Sequence, residues 1–166
     1  EPPGKIEAGT FIYENVAGLD AAIKYLEVLG ASLGGKLKGD SENRRSNLVI
    51  AMNAVRAYEA VLSSELLRVL TEADATIYGV RDAGRLRERV PTFCFNLQKK
   101  HPARVTETLA DAGIGVRDGH MYAPRLMRRL GLDPEIGAVR VSLAHYNTVE
   151  EIHRFRDVIL PMSRYA

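Results

Sequence analysis

Apolar side chains in the first part of the chain recur at the three- and four-residue spacing of amphipathic helices. One helix is predicted from Asn15 to Leu29, with Gly30 as its end. A longer helix is predicted from Ser46 to Glu72, and residues 31–43, rich in glycine, serine and lysine, are predicted as a loop. The apolar positions expected to face a core are Val16, Leu19, Ile23 and Leu26 in the first helix, and Leu48, Met52, Val55, Leu62, Leu66 and Val69 in the second.

From residue 75 the pattern changes to short apolar segments, which indicate strands, separated by short helices. A last helix begins with a capping box of Thr148 and Glu151, and Pro161 is predicted to end it. This order predicts an α+β fold, a two-layer small domain whose mostly antiparallel sheet is covered on one face by helices. The predicted strands are 75–79, 92–97, 115–117 and 138–143, and the short helices are 102–112 and 124–132.

The chain of 166 residues is long enough for one domain with its own hydrophobic core. We expect a lead-in segment at 1–14, a connecting helix at 15–30, a flexible loop at 31–45 and the α+β domain at 46–166. A formal net charge of +2 gives no reason to expect nucleic-acid binding, and no apolar run reaches the roughly 18 residues of a membrane span. The single cysteine excludes an internal disulfide and suits the cytosol, and the histidines show no metal-ligand spacing, so no metal is expected.

Arg140 is the polar residue whose placement the pattern defines best. Its neighbours Val139 and Val141 must face the helices, so Arg140 points to the other face of the sheet. A guanidinium there suits a carboxylate or a phosphate, but an ion pair with a neighbouring acid, or plain solvent exposure, explains the pattern as well.

Three further side chains allow both a functional and a structural interpretation. Arg117 lies in a turn between glycines, either as a second anion-binding group or as a surface arginine. His120 is either a general acid or base, or a loop histidine bonded to solvent or backbone. Cys94 lies in the middle of a predicted strand and is expected to be buried and unreactive, because a reactive thiolate needs an exposed, electropositive setting.

Four segments, in this order, resemble a known family: "IEAGT" at 6–10, "AGLDAAIKYLEVLG" at 17–30, "VRDGHMYAPRLM" at 116–127 and "VRVSLAHYNTVEEIHRF" at 139–155. They are similar to the C-terminal part of class V aminotransferase-fold enzymes, the pyridoxal-phosphate (PLP) enzymes that include the cysteine desulfurases. The resemblance covers the chain apart from residues 31–45. It implies the C-terminal small domain of that fold, PLP as the cofactor and an amino acid as the substrate.

The resemblance also implies roles for particular residues. Arg140 matches the arginine that binds the α-carboxylate of the substrate, and Arg117 matches a second arginine near the substrate. Thr10 matches a threonine that reaches the PLP phosphate of the partner subunit in a homodimer. Residues 146–148 match the segment that opens the last helix, where we expect a structural cap.

Two departures from the family pattern change the expected chemistry. The family's PLP-binding lysine lies upstream of "IEAGT" in the large domain, a context that no lysine of this chain occupies. We therefore expect a part of a longer enzyme, with no catalytic residue of its own and no covalent bond to PLP. Where the desulfurases of the closest type carry their nucleophilic cysteine, this chain has Tyr122, which cannot form a persulfide. The alternatives are a non-catalytic α+β binding or interaction module, and a desulfurase that uses a cysteine from elsewhere.

Overall fold

The computed structural model describes residue 9 and residues 12–34 and 41–164. Within these ranges the chain forms α-helices, one short 3₁₀ helix and four β-strands, and it divides into two compact units, residues 1–55 and 56–166. No helix in the described ranges is long and apolar enough to cross a membrane.

The first unit contains helix α1, Tyr13–Ser32, and the first part of helix α2, Ser41–Glu72. The prediction that Gly30 ends the first helix is wrong, because Gly30 is a buried residue inside α1. A Cβ atom at this position would lie 1.8 Å from the backbone oxygen of Asn47. The glycine therefore permits a close approach between two helix backbones, which no larger residue would allow.

The first and last residues of the predicted loop at 31–45 are helical in α1 and α2, and residues 35–40 lie outside the described residues. The buried residues of α1 lie at its C-terminal end, so the apolar positions Val16 and Leu19 are exposed and not part of a core. Met52 of α2 is exposed as well. The second unit begins at Arg56, within α2, whereas the sequence placed the start of the α+β domain at residue 46.

The second unit is built on a four-stranded sheet with the spatial order β1-β2-β4-β3. Each neighbouring pair is antiparallel, and the predicted α+β fold with an antiparallel sheet is confirmed. The strands are β1 Thr76–Tyr78, β2 Thr92–Asn96, β3 Arg117–Gly119 and β4 Ala138–Ser142. The shorter helices are the 3₁₀ helix Ala83–Glu88, α3 Pro102–Asp111, α4 Pro124–Arg129 and α5 Val149–Arg164.

One face of the sheet forms the hydrophobic core with α2, α3 and α5. Phe93 and Phe95 of β2 are fully buried, and the ring of Phe95 meets that of Phe155 edge to face at a centroid distance of 6.3 Å. The helix residues in this core are Leu62, Leu66, Val69, Leu70, Val105, Leu109, Ile152, Phe155 and Ile159. Because side chains alternate along a strand, the residues between the buried ones point to the opposite face, which is polar.

Helix α5 begins as predicted but continues further. The amide nitrogen of Thr148 donates to Glu151 Oε2 at 2.9 Å, and the amide nitrogen of Glu151 donates to Thr148 Oγ1 at 3.3 Å, which confirms the capping box. Pro161 does not end the helix, which runs to Arg164. The proline removes one backbone donor in the last turn, and Met162 still packs against the core there.

Candidate functional site

A row of four side chains crosses the polar face of the sheet. Cys94 lies opposite Tyr78 on one side and opposite Arg140 on the other, and Arg140 lies opposite Arg117. Directly opposite residues of antiparallel strands share a face, with Cβ atoms about 4.5–5.5 Å apart. The sheet register therefore brings together the two arginines that the sequence selected as candidates.

Both arginines are exposed. Among the residues that the structure describes, neither Arg140 nor Arg117 has an acidic oxygen within 4.0 Å, although other arginines of the domain are paired in this way. Of the structural explanations left open for Arg140, an ion pair with a neighbouring acid is thus not seen within this part of the chain. Two adjacent positive charges on one sheet face favour the approach of an anion.

The sequence placed Arg117 in a turn, at the end of a predicted strand. In the structure it is the first residue of β3. The prediction placed a strand at 115–117, two residues too early. This three-residue strand has no apolar alternation from which its bounds could be read, and its position follows from its pairing with β4.

The turn after β3 holds Tyr122 next to Arg117. The guanidinium Nη2 of Arg117 donates to Tyr122 Oη at 3.4 Å, and its central carbon lies 5.2 Å from the centre of the tyrosine ring. Met121 and Tyr122 both have positive φ angles, 51° and 60°, which are uncommon outside glycine. His120 Nδ1 accepts a hydrogen bond of 3.1 Å from the backbone N–H of Tyr122. Of the interpretations open for His120, the structure thus shows the bond to backbone.

Two glycines set the spacing between β3 and β4 beside the arginine pair. Gly137 has a φ angle of 70°, and a Cβ atom on it would lie 2.1 Å from the carbonyl carbon of Gly119. Gly119 itself has a φ angle of 103°. The contact requires the absence of a side chain at Gly137, whereas a Cβ atom on Gly119 would meet no atom within 4 Å. It places the end of β3 against the start of β4.

Cys94 is half-buried, so it is less buried than the sequence predicted. It lies on the polar face because its strand neighbours Phe93 and Phe95 occupy the core face. Burial raises the pKa of the Cys94 thiol above its usual value, although the charge of Arg140 acts in the opposite direction. At neutral pH the thiol is therefore mainly protonated, which is unfavourable for a nucleophile.

The segment before α5 is a structural cap rather than part of the arginine row. Asn147 Oδ1 accepts from the amide of Ala144 at 2.8 Å, and the Asn147 carbonyl accepts from the hydroxyl of Tyr58 at 2.9 Å. A cavity of about 160 Å³ lies beside this segment, with Gly115 and Arg154 among its lining residues. Neither arginine of the row lines this cavity.

Thr10, the candidate cofactor-binding residue, lies outside the described residues. Within the described ranges, no group of three or more histidine, cysteine, aspartate or glutamate side chains is arranged to hold a metal ion.

The fold and the row of side chains define an α+β domain whose polar sheet face carries two arginines without an acidic partner among the described residues. The family model described as aminotransferase class-V matches residues 47–155, well over half of the chain. The chain belongs to this family.

The relatives of this chain are named as cysteine desulfurases. A probable cysteine desulfurase 1 of Mycobacterium leprae is 34% identical over 158 residues, which is 95% of this chain and 21% of the relative. A cysteine desulfurase of Escherichia coli O8 is 33% identical over 92% of this chain and 30% of the relative. The apo structure of the cysteine desulfurase from Thermococcus onnurineus NA1 superposes with a TM-score of 0.75 and 28% identity, over 100% of this chain and 35% of that structure. The chain thus spans about a fifth to a third of the length of these relatives.

Proposed function

We propose that this chain is the C-terminal substrate-orienting domain of a PLP-dependent class V enzyme that acts on an amino acid. The observation that carries the proposal is the pair Arg140 and Arg117, opposite each other on the polar sheet face and without an acidic partner among the described residues. Membership of the class V family and the similarity to proteins named as cysteine desulfurases support it. The same findings count against the alternative of a non-catalytic binding module.

Two of the described lysines lack the setting of a PLP-binding lysine. A Schiff-base lysine needs an activated amine, which burial or a neighbouring cation provides. Lys24 instead is exposed and forms an ion pair of 2.6 Å with Asp20, and Lys99 is exposed on the surface. We propose that a large domain of the same protein supplies the lysine, and that Thr10 reaches the phosphate in the partner subunit of a homodimer. We place this enzyme in the cytosol, because its one cysteine in this chain is unpaired.

The work of this domain is then to hold the substrate by its α-carboxylate. The planar guanidinium of Arg140 donates two parallel hydrogen bonds to the two carboxylate oxygens, which fixes both the position and the orientation of the α-carbon. The half-buried, protonated Cys94 beside it adds no competing negative charge. No described residue is assigned a proton-transfer or nucleophilic role.

The reaction that we propose is not desulfuration by a loop cysteine. Tyr122 stands where that chemistry needs a thiolate, and a phenol oxygen forms no stable persulfide. Cys94 is a poor substitute, because it is held within β2 and burial keeps its thiol protonated.

We therefore expect the full-length, PLP-loaded protein to release sulfide from cysteine only at the background rate, with a reductant present. The test compares the wild type with Cys94→Ala and Tyr122→Cys, and a loop-cysteine desulfurase serves as the positive control. Robust turnover by the wild type that is lost in Cys94→Ala would contradict the proposal and make Cys94 the sulfur acceptor.

A further inference from the structure

Two arginines side by side provide more positive charge than one α-carboxylate uses. Arg117 and Arg140 lie directly opposite each other on antiparallel strands and point to the same face. Like charges in this arrangement destabilise a sheet unless an anion neutralises them. A single α-carboxylate has two oxygens, and one guanidinium fork satisfies both of them. The second arginine is thus left as a binding group for a second anionic group of the same ligand.

Of the two side chains that flank Arg140 in the row, only the one on β3 is charged. Toward β2 its neighbour is Cys94, followed by Tyr78, and burial raises the pKa of both side chains, so that both are neutral near pH 7. Toward β3 its neighbour is Arg117. Among the described residues of this row, the positive charge beside Arg140 lies on its β3 side, where it can meet the side chain of an amino acid whose α-carboxylate lies on Arg140.

Tyr122 completes this side of the row as a second donor. Its phenol oxygen already accepts a hydrogen bond from Arg117, so its own proton remains available to an anion. The side chain is 83% exposed, so its hydroxyl is accessible to a ligand, and the backbone N–H of Tyr122 is bonded to His120.

We propose that Arg117 and Tyr122 form a subsite for the side-chain carboxylate of the substrate, which is a dicarboxylic amino acid of the size of aspartate or glutamate. This inference rests on the proposed function, in which Arg140 takes the α-carboxylate. The substrate class thus follows from the sheet register and from the tyrosine beside Arg117.

The test is a calorimetric titration of the full-length, PLP-loaded protein with dicarboxylates that lack an amino group and do not react. Succinate and glutarate are compared with their half-amides, succinamate and glutaramate, which have the same shape but one charge less. We expect at least one dicarboxylate to bind about 10-fold or more tightly than its half-amide, the discrimination of a charge-assisted contact. Arg117→Gln should bring this ratio close to 1, and Tyr122→Phe, which keeps the ring, should lower it in part.

The outcomes separate this inference from the proposed function. Equal binding of dicarboxylates and half-amides by the wild type, both weakened by Arg140→Ala, would overturn the subsite and leave the proposed function intact. A preference for dicarboxylates that survives in Arg117→Gln would overturn it too. No binding of any of these ligands, or affinities unchanged by Arg140→Ala, would count against the proposed function itself.

Discussion

Replacing Arg140 by alanine in the full-length enzyme is expected to lower kcat/KM for its amino-acid substrate by about 30- to 1000-fold, the effect of losing a bidentate, charge-assisted contact. The fold should be nearly unaffected, because Arg140 is exposed and has no acidic partner among the described residues. Steady-state kinetics and the midpoint of urea unfolding, measured on the same preparation, separate the two effects.

Arg104→Ala is the matched control for this substitution. Arg104 is an exposed arginine of α3, the helix on the opposite side of the sheet, and it pairs with Glu107 at 2.6 Å. Its removal should leave the kinetics unchanged, since surface ion pairs of this kind contribute little. An Arg140→Ala protein that unfolds more easily while its native fraction works normally would show that Arg140 has a structural role.

Replacing Gly137 by alanine is expected to lower the free energy of unfolding by about 2–4 kcal/mol, from overpacking together with an unfavourable positive φ. The added Cβ would collide with the backbone of Gly119, which cannot move aside as a flexible side chain would. Because this contact positions β3 against β4, the substitution should also weaken ligand binding through Arg117. Urea unfolding with a constant slope gives the free energy.

Gly79→Ala separates the two contributions to this effect. Gly79 also has a positive φ, 97°, but a Cβ atom there would meet no atom within 4 Å. Gly79→Ala should therefore lower the free energy of unfolding only by the cost of the strained backbone, about 1 kcal/mol. If Gly137→Ala destabilises the protein no more than Gly79→Ala does, the close contact between the backbones at Gly137 and Gly119 is contradicted.

Much of the second unit could be predicted from the sequence because strand and helix patterns there are strong. The alternation of β2 separates Cys94 from the face of Phe93 and Phe95, although the thiol was expected to be buried, and the same argument placed Arg140 on the face away from the helices. Thr148 and Glu151 marked the start of α5 by a local hydrogen-bond pattern that needs no tertiary context.

The parts that sequence could not supply depend on contacts between distant residues. The pairing of Arg117 with Arg140 follows from the register of β3, a strand too short to show a pattern. Gly30 was predicted as a helix end from the local preference of glycine for that position. The actual reason for a glycine there is its contact with Asn47, which is a tertiary one. The bond between Tyr122 and Arg117 was missed for the same reason.

The central claim is that the polar sheet face with Arg140 and Arg117 holds the substrate. A crystal structure of the full-length, PLP-loaded protein with a bound amino acid or dicarboxylate tests this claim most directly. We predict a ligand carboxylate within about 3 Å of two nitrogens of the Arg140 guanidinium. A ligand bound elsewhere, with Arg140 paired to an acidic side chain of the same protein, would contradict it.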